Sequence, residues 1–288
     1  MKKLYFILVV LSITALIFNS CQKEENDLIK QNPVPQEVIN KIANMGFNPE
    51  GIQVVENGYR IERDIIITHE MLEYTPSEHK VPFMEQYSTN NLVKTNGGRV
   101  ISVYAPEEGN TTGGKGKKGG SNGFSPGMLA ALDLAIERYN DENLEISFTR
   151  VSSARGADIV MTRLNAIDEQ SGVLGSAGFP TRRGDPYGEI QMSGILESFY
   201  GLSTQGIATI IAHEMGHCIG FRHTDWFDRS ISCGGNAINE GESNIGANHI
   251  PDTPTDATYR EKSWMLSCTD GGDRPFNRDD QTALDYLY

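Results

Sequence analysis

Cysteine is scarce in this chain, with four in 288 residues, at positions 21, 218, 233 and 268. That excludes a disulfide-dense scaffold. It also leaves residues 22–217 without any thiol that could cap a metal. Positive charge is short as well: 25 Lys and Arg stand against 38 Asp and Glu, for a formal net charge of -13. Lys2 and Lys3 fall in the first twenty residues, where there is no acid, so the remainder carries 25 − 2 = 23 bases against 38 acids, or -15. Such a surface has no footprint for phosphate backbones, and nucleic acid is excluded as a partner. Internal repeats are absent. The only long apolar run, residues 4–18, is too short for a comfortable membrane span. The glycine-rich stretch 107–123, with Lys115, Lys117 and Lys118, lacks the strand–loop–helix setting and the Lys-Ser/Thr ending of a phosphate loop. It reads as a flexible loop or a processing site.

What is present begins at the N-terminus. Met1-Lys2-Lys3 followed by the apolar run has the layout of a secretory signal. The run ends in Phe18-Asn19-Ser20-Cys21, which resembles the lipobox of bacterial lipoproteins, with Phe18 where Leu is usual. The resemblance implies removal of residues 1–20, a lipid anchor on Cys21, and an exported lipoprotein at the outer membrane or cell surface. Residues 21–33 then form an acidic tether.

Residues 34–90 read as a small N-terminal accessory module or pro-segment without a catalytic constellation. A short helix begins near Pro35, and Tyr59-Arg60-Ile61-Glu62-Arg63-Asp64-Ile65-Ile66-Ile67 opens with period-2 alternation that fits one strand. Residues 91–288 form the expected catalytic domain. Strands are predicted at 99–105, 145–150, 157–162, 173–179 and 189–192. Ser125-Pro126 opens a helix that places Met128, Leu132, Ala135, Ile136 and Tyr139 on one face. Further helices are predicted over 204–218 and 278–288, the second capped by Asn277.

The chemistry concentrates in His213-Glu214-Met215-Gly216-His217-Cys218-Ile219-Gly220-Phe221-Arg222-His223, which holds three of the six histidines. Chance would place this pattern of His, Glu and Gly in about one in 10^5 sequences of such composition. On a helix His213 and His217 lie one turn apart on nearly the same face, so both imidazoles can reach one ion. Glu214 is rotated by roughly 100° and sits beside that ion rather than behind it. Gly220 can take a left-handed conformation, end the helix and bring His223 round as the third ligand. Cys218 points away and reads as a core thiol or half of a bridge. His69, His79 and His249 are isolated and read as surface or loop residues.

This motif resembles that of the metzincin zinc peptidases. Ser263-Trp264-Met265-Leu266-Ser267 resembles their Met turn, whose methionine forms an apolar floor under the metal histidines. More narrowly, the chain resembles the bacterial dual-action HEIGH metallopeptidases, with Met215 for the Ile of that name. His223-Thr224-Asp225-Trp226 and residues 276–288 are further matches. The resemblance implies an α+β fold with a twisted, mostly parallel sheet whose lower edge strand is antiparallel, plus a backing helix, an active-site helix and a C-terminal helix. It implies one catalytic Zn2+ ion on His213, His217 and His223, Glu214 as general base, Met265 as floor, and hydrolysis of internal bonds in protein or peptide substrates. Leu174, Gly175, Ser176 and Ala177 are placed like the edge strand that holds the substrate, or else form an ordinary strand. Some metzincins carry a Tyr two residues after the Met; Ser267 stands there in this chain and takes no such role. With Cys21 acylated, one bridge can form, either Cys233–Cys268, stabilising by roughly 3 kcal/mol, or Cys218–Cys268. The competing reading is a non-catalytic surface-binding lipoprotein with a structural zinc site, which has no need of Glu214.

Overall fold

The computed structural model describes residues 33–45, 47–73, 86–109, 123–241, 245–254 and 262–288. The signal segment, Cys21, nearly all of the tether, His79 and most of the stretch 107–123 lie outside the described residues. The chain divides into Met1–Pro33 and Val34–Tyr288. No described helix is long and apolar enough to cross a membrane.

In chain order the second unit comprises α1 (Gln36–Asn44), β1 (Gln53–Val55), β2 (Gly58–Ile61), β3 (Ile65–Thr68), α2 (His69–Leu72), β4 (Tyr87–Ser88) and β5 (Arg99–Tyr104). It continues with α3 (Pro126–Asp141), β6 (Ile146–Val151), β7 (Ile159–Arg163), α4 (Ala166–Gln170), β8 (Gly175–Ala177) and β9 (Glu189–Met192). The last elements are α5 (Thr204–Ile219), α6 (Ser230–Cys233), β10 (Asn248–His249) and α7 (Arg278–Leu287). The fold is α+β, built on a mixed sheet in the order β1-β2-β3-β8-β9-β7-β5-β6. Strands β6, β5, β7 and β9 run parallel, and β8 pairs antiparallel with β9.

The helices form where local chemistry favours them. Ser125 accepts a hydrogen bond from Met128 N at 3.1 Å, and Pro126 occupies the first turn of α3, where its missing N–H is no loss. Ser203 caps α5 through Gly206 N at 3.1 Å. Asn277 and Asp280 form a reciprocal capping box on α7. Helix α5 ends at Gly220 with φ 114°, where a Cβ would lie 2.8 Å from the Leu92 side chain and 3.0 Å from Asn91 O. Helices α3 and α5 share one core with Ile101, Val103, Met161 and Ile190 of the sheet. Tyr139 of α3 reaches across this core and donates to Ala212 O of α5 at 2.8 Å.

Three sequence expectations change. The run 59–67 is not one strand but the β2–β3 hairpin, because Glu62 and Arg63 take left-handed φ values of 53° and 81° and reverse the chain. No division falls near residue 90: β3 joins β8 through Ile65 and Ala177, so residues 34–72 extend the same sheet as the rest. For that reason β8, with Gly175, Ser176 and Ala177, is not an edge strand here. Leu174 precedes it and accepts from Ser193 N at 2.9 Å.

Candidate metal centre and catalytic site

Helix α5 presents His213 and His217 one turn apart, and the turn at Gly220 carries His223 back over them. The three ring nitrogens converge: His223 Nε2 lies 3.2 Å from His217 Nε2 and 3.3 Å from His213 Nε2. The other nitrogen of each ring faces an acceptor. His213 Nδ1 donates to Trp264 O at 2.9 Å, His217 Nδ1 to Phe221 O at 2.9 Å and His223 Nδ1 to Glu240 Oε1 at 2.7 Å. Carbonyls and carboxylates only accept, so each Nδ1 carries a proton, and a ring in its neutral form turns its Nε2 lone pair toward the other two. Three lone pairs aimed at one point repel unless a cation lies between them. A tetrahedral ion with bonds of about 2.0–2.1 Å would separate its nitrogens by roughly 3.3 Å, so the donor set fits zinc.

Electrostatics agree with that fit. Burial, with His223 alongside, pushes the pKa of His213 down to about 4, and burial with His213 and His223 drives His217 well below the usual histidine range. Both rings are therefore neutral donors at pH 7. Burial acts the same way on His223, but Glu240 and Asp64 outweigh it and raise its pKa well above normal. That imidazole demands a positive charge at Nε2, which a proton or a metal cation can supply. Glu240 is fully buried; burial alone would raise its pKa, yet His223, Arg229 and Arg222 hold it below the usual carboxylate range.

Glu214 lies on the same helix with Oε2 buried and unpartnered. Burial first, then the charge of Asp64, raises its pKa well above the normal range, against His223 and Arg60. Its carboxylate abuts β8, where a Cβ on Gly175 would fall 2.5 Å from Glu214 Oε1. Gly175 lets the Glu214 carboxylate and the strand backbone approach this closely.

The Met turn lies beneath. Met265 is fully buried, and Thr224 N donates to its carbonyl at 2.8 Å. Gly216 lets it approach the helix, since a Cβ there would meet Met265 Sδ at 2.5 Å. Asp225 ties this turn to the following loop, accepting from Ser267 N at 2.9 Å and from Ser232 Oγ at 2.6 Å. Cys233 and Cys268 are joined by a disulfide across the same junction, and Cys218 is a buried free thiol. His69 and His249 stand apart from the site, His249 beside Thr253 at 3.1 Å.

Two acids at the centre escaped sequence reasoning. Glu240 holds His223, but it sits in a polar loop with no spacing signal. Asp64 belongs to the β2–β3 turn, and its Oδ2 lies 3.4 Å from His223 Nε2. One oxygen of Asp64 and one nitrogen of each histidine all lie within 4.8 Å of one another. A cavity of about 190 Å3 opens beside Glu214, lined by Leu174, Ile210, Leu266 and Arg274, with Arg63 and Asp64 also at its surface.

The sequence profile of the dual-action HEIGH metallo-peptidases matches residues 59–288. No curated protein matches the chain. A solved chain titled "GM1 bound form of the ECX AB5 holotoxin" is 19% identical, with 69% of this chain and 81% of that chain covered and a TM-score of 0.35.

Proposed function

From the premise that this chain belongs to the dual-action HEIGH metallopeptidase family, we propose that it is a zinc endopeptidase acting on extended protein substrates, with Glu214 as its general base. His213, His217 and His223 would hold the ion. Bound there, zinc would acidify a water molecule and polarise the scissile carbonyl. Glu214 would take up a proton from that water and hand it to the leaving amine, and a carboxyl whose pKa is raised by burial suits both transfers. Glu240, Trp264 O and Phe221 O orient the three imidazoles through Nδ1, which leaves Nε2 as the atom that would meet the ion. The cavity beside Glu214 would receive a substrate side chain next to the bond being cut. We also propose that the chain is exported and anchored in a bacterial membrane by a lipid on Cys21, which would bring the peptidase to substrates outside the cell.

One observation carries the enzymatic reading: three proton-satisfied imidazoles converge beside a buried carboxylate with an unpartnered oxygen. Glu214→Gln should retain zinc, because its ligands remain, and should lose casein cleavage at least about a hundredfold. His213→Ala combined with His217→Ala should lose zinc and cleavage together, since one histidine makes no site. Near wild-type cleavage by Glu214→Gln would sink the proposal.

A further inference from the structure

The β2–β3 hairpin reaches the metal centre in two ways at once. Its turn holds Glu62 and Arg63, neither of them glycine, in left-handed backbone at φ 53° and 81°. Such a conformation costs energy for a side-chain-bearing residue and persists where surrounding contacts enforce it. Asp64 follows, its Oδ2 3.4 Å from His223 Nε2 and its Oδ1 buried without a hydrogen-bond partner. Asp64 thus sets one carboxylate oxygen among the three imidazole nitrogens, all within 4.8 Å of one another, and leaves its other oxygen without a partner, which is the chemistry of a fourth ligand. Zinc takes Asp oxygens as readily as imidazole nitrogens and is satisfied by four donors.

The same turn covers β8. Asp64 O accepts from Ala177 N at 2.9 Å, and Ile65 pairs with Ala177 in parallel register. A free strand edge is how a groove grips an extended peptide through main-chain hydrogen bonds. Here that edge is already taken, beside the Glu214 carboxylate that packs on Gly175.

The hairpin is also built to stay together. β2 and β3 pair along four residues, whereas β3 meets β8 at one. Ile61, Ile65 and Ile67 pack with Ile42, Met45 and Phe47 in a small cluster of their own, whose buried members from beyond residue 72, among the described residues, are Phe179 and Ile245. Polar clamps fasten it: Arg60 pairs with Asp168 at 2.9 Å and donates to Gln191 Oε1 at 2.8 Å, and Arg229 donates to Glu62 O at 3.0 Å.

We infer that Asp64 is a fourth protein ligand of the metal, and that the β2–β3 hairpin is a plug in cis which fills both the water position and the substrate edge of β8. The chain in this conformation is then a latent form that becomes active when the hairpin withdraws. The inference rests on the reading of the three histidines as the metal site. No thiol lies between residues 22 and 217, so a carboxylate supplies the cap that a cysteine could not.

The test uses the full chain with cobalt(II) in place of zinc and acetohydroxamate as the probe. It follows the visible cobalt spectrum in wild type, Asp64→Ala, Asp64→Asn and the double variant His213→Ala/His217→Ala. A tethered carboxylate competes at an effective concentration of millimolar or above. Acetohydroxamate should therefore shift the Asp64→Ala spectrum at concentrations at least about tenfold lower than wild type requires. Asp64→Asn has the same size without the charge; it should shift in the same direction, and it serves if Asp64→Ala does not fold. Cleavage of a quenched peptide should rise in both variants relative to intact wild type, and adding Glu214→Gln to Asp64→Ala should abolish it. Cobalt uptake with the same hydroxamate response in wild type and both Asp64 variants would overturn the plug alone. Cobalt uptake equal to wild type by His213→Ala/His217→Ala, which leaves only His223 and Asp64, would instead overturn the metal-site reading, and the plug with it.

Discussion

Replacing Gly216 by alanine would set a methyl carbon 2.5 Å from Met265 Sδ, 3.2 Å from Trp264 Nε1 and 3.4 Å from Met265 Cε. Met265 is 0% and Trp264 1% exposed, so neither can swing into solvent. Overpacking of this kind costs about 1–3 kcal/mol, toward the lower figure where an adaptable Met is the neighbour. Alanine inside a helix returns about 1 kcal/mol relative to glycine. The metal-free protein should therefore lose only about 0–2 kcal/mol of stability. The effect on zinc should be the larger one. Trp264 O is the acceptor that orients His213, and Trp264 Nε1 also donates to Ala212 O at 3.2 Å. A turn pushed off the helix loosens that ring, and losing such an outer contact weakens metal binding by about 10–100-fold. Zinc affinity would be measured by competition with a chromogenic chelator, and stability by denaturant midpoints with and without zinc. Wild-type zinc affinity together with stability raised by the full helix gain would show that Gly216 is not there to admit the Met turn.

Glu240→Gln keeps the size of the acceptor but removes the charge beside His223, and should weaken zinc about 10–100-fold in the same competition assay while leaving the Met turn in place. Cys233→Ser opens a bridge spanning 35 residues. Loop closure of that length is worth about 3–4 kcal/mol, so its thermal midpoint should fall, and reductant should lower the wild type to match it. Cys21→Ala should abolish labelling by a fatty-acid probe in a bacterial host, and equal labelling of both forms would refute acylation at that residue.

The cluster of three histidines was legible because a helix makes it a local affair. Residues 213 and 217 share a face by helical geometry, and Gly220 marks the turn that returns His223, so an eleven-residue window contains all three histidines. The capped helices α3, α5 and α7 were legible for the same reason, since Ser125, Asn277 and the apolar spacing act within a few residues. Strand placement followed from alternation, but strand ends did not: β8 keeps three residues of the predicted seven.

Partners distant in sequence were another matter. Glu240 reaches His223 across 17 residues of polar loop, and another glutamate stands nearby in that loop with equal sequence credentials. Asp64 lies about 150 residues before the histidines, in a run whose alternation hides a turn, because Glu62 and Arg63 adopt a backbone that composition alone disfavours. Only the sheet order, which sets β3 against β8, brings that carboxylate to the metal centre and closes the strand edge. The sequence by itself determined that three histidines and a glutamate meet at one site, since that depends on spacing along one helix and one turn. The tertiary structure alone decided that Asp64 faces those histidines, since that depends on which distant strand pairs with β8.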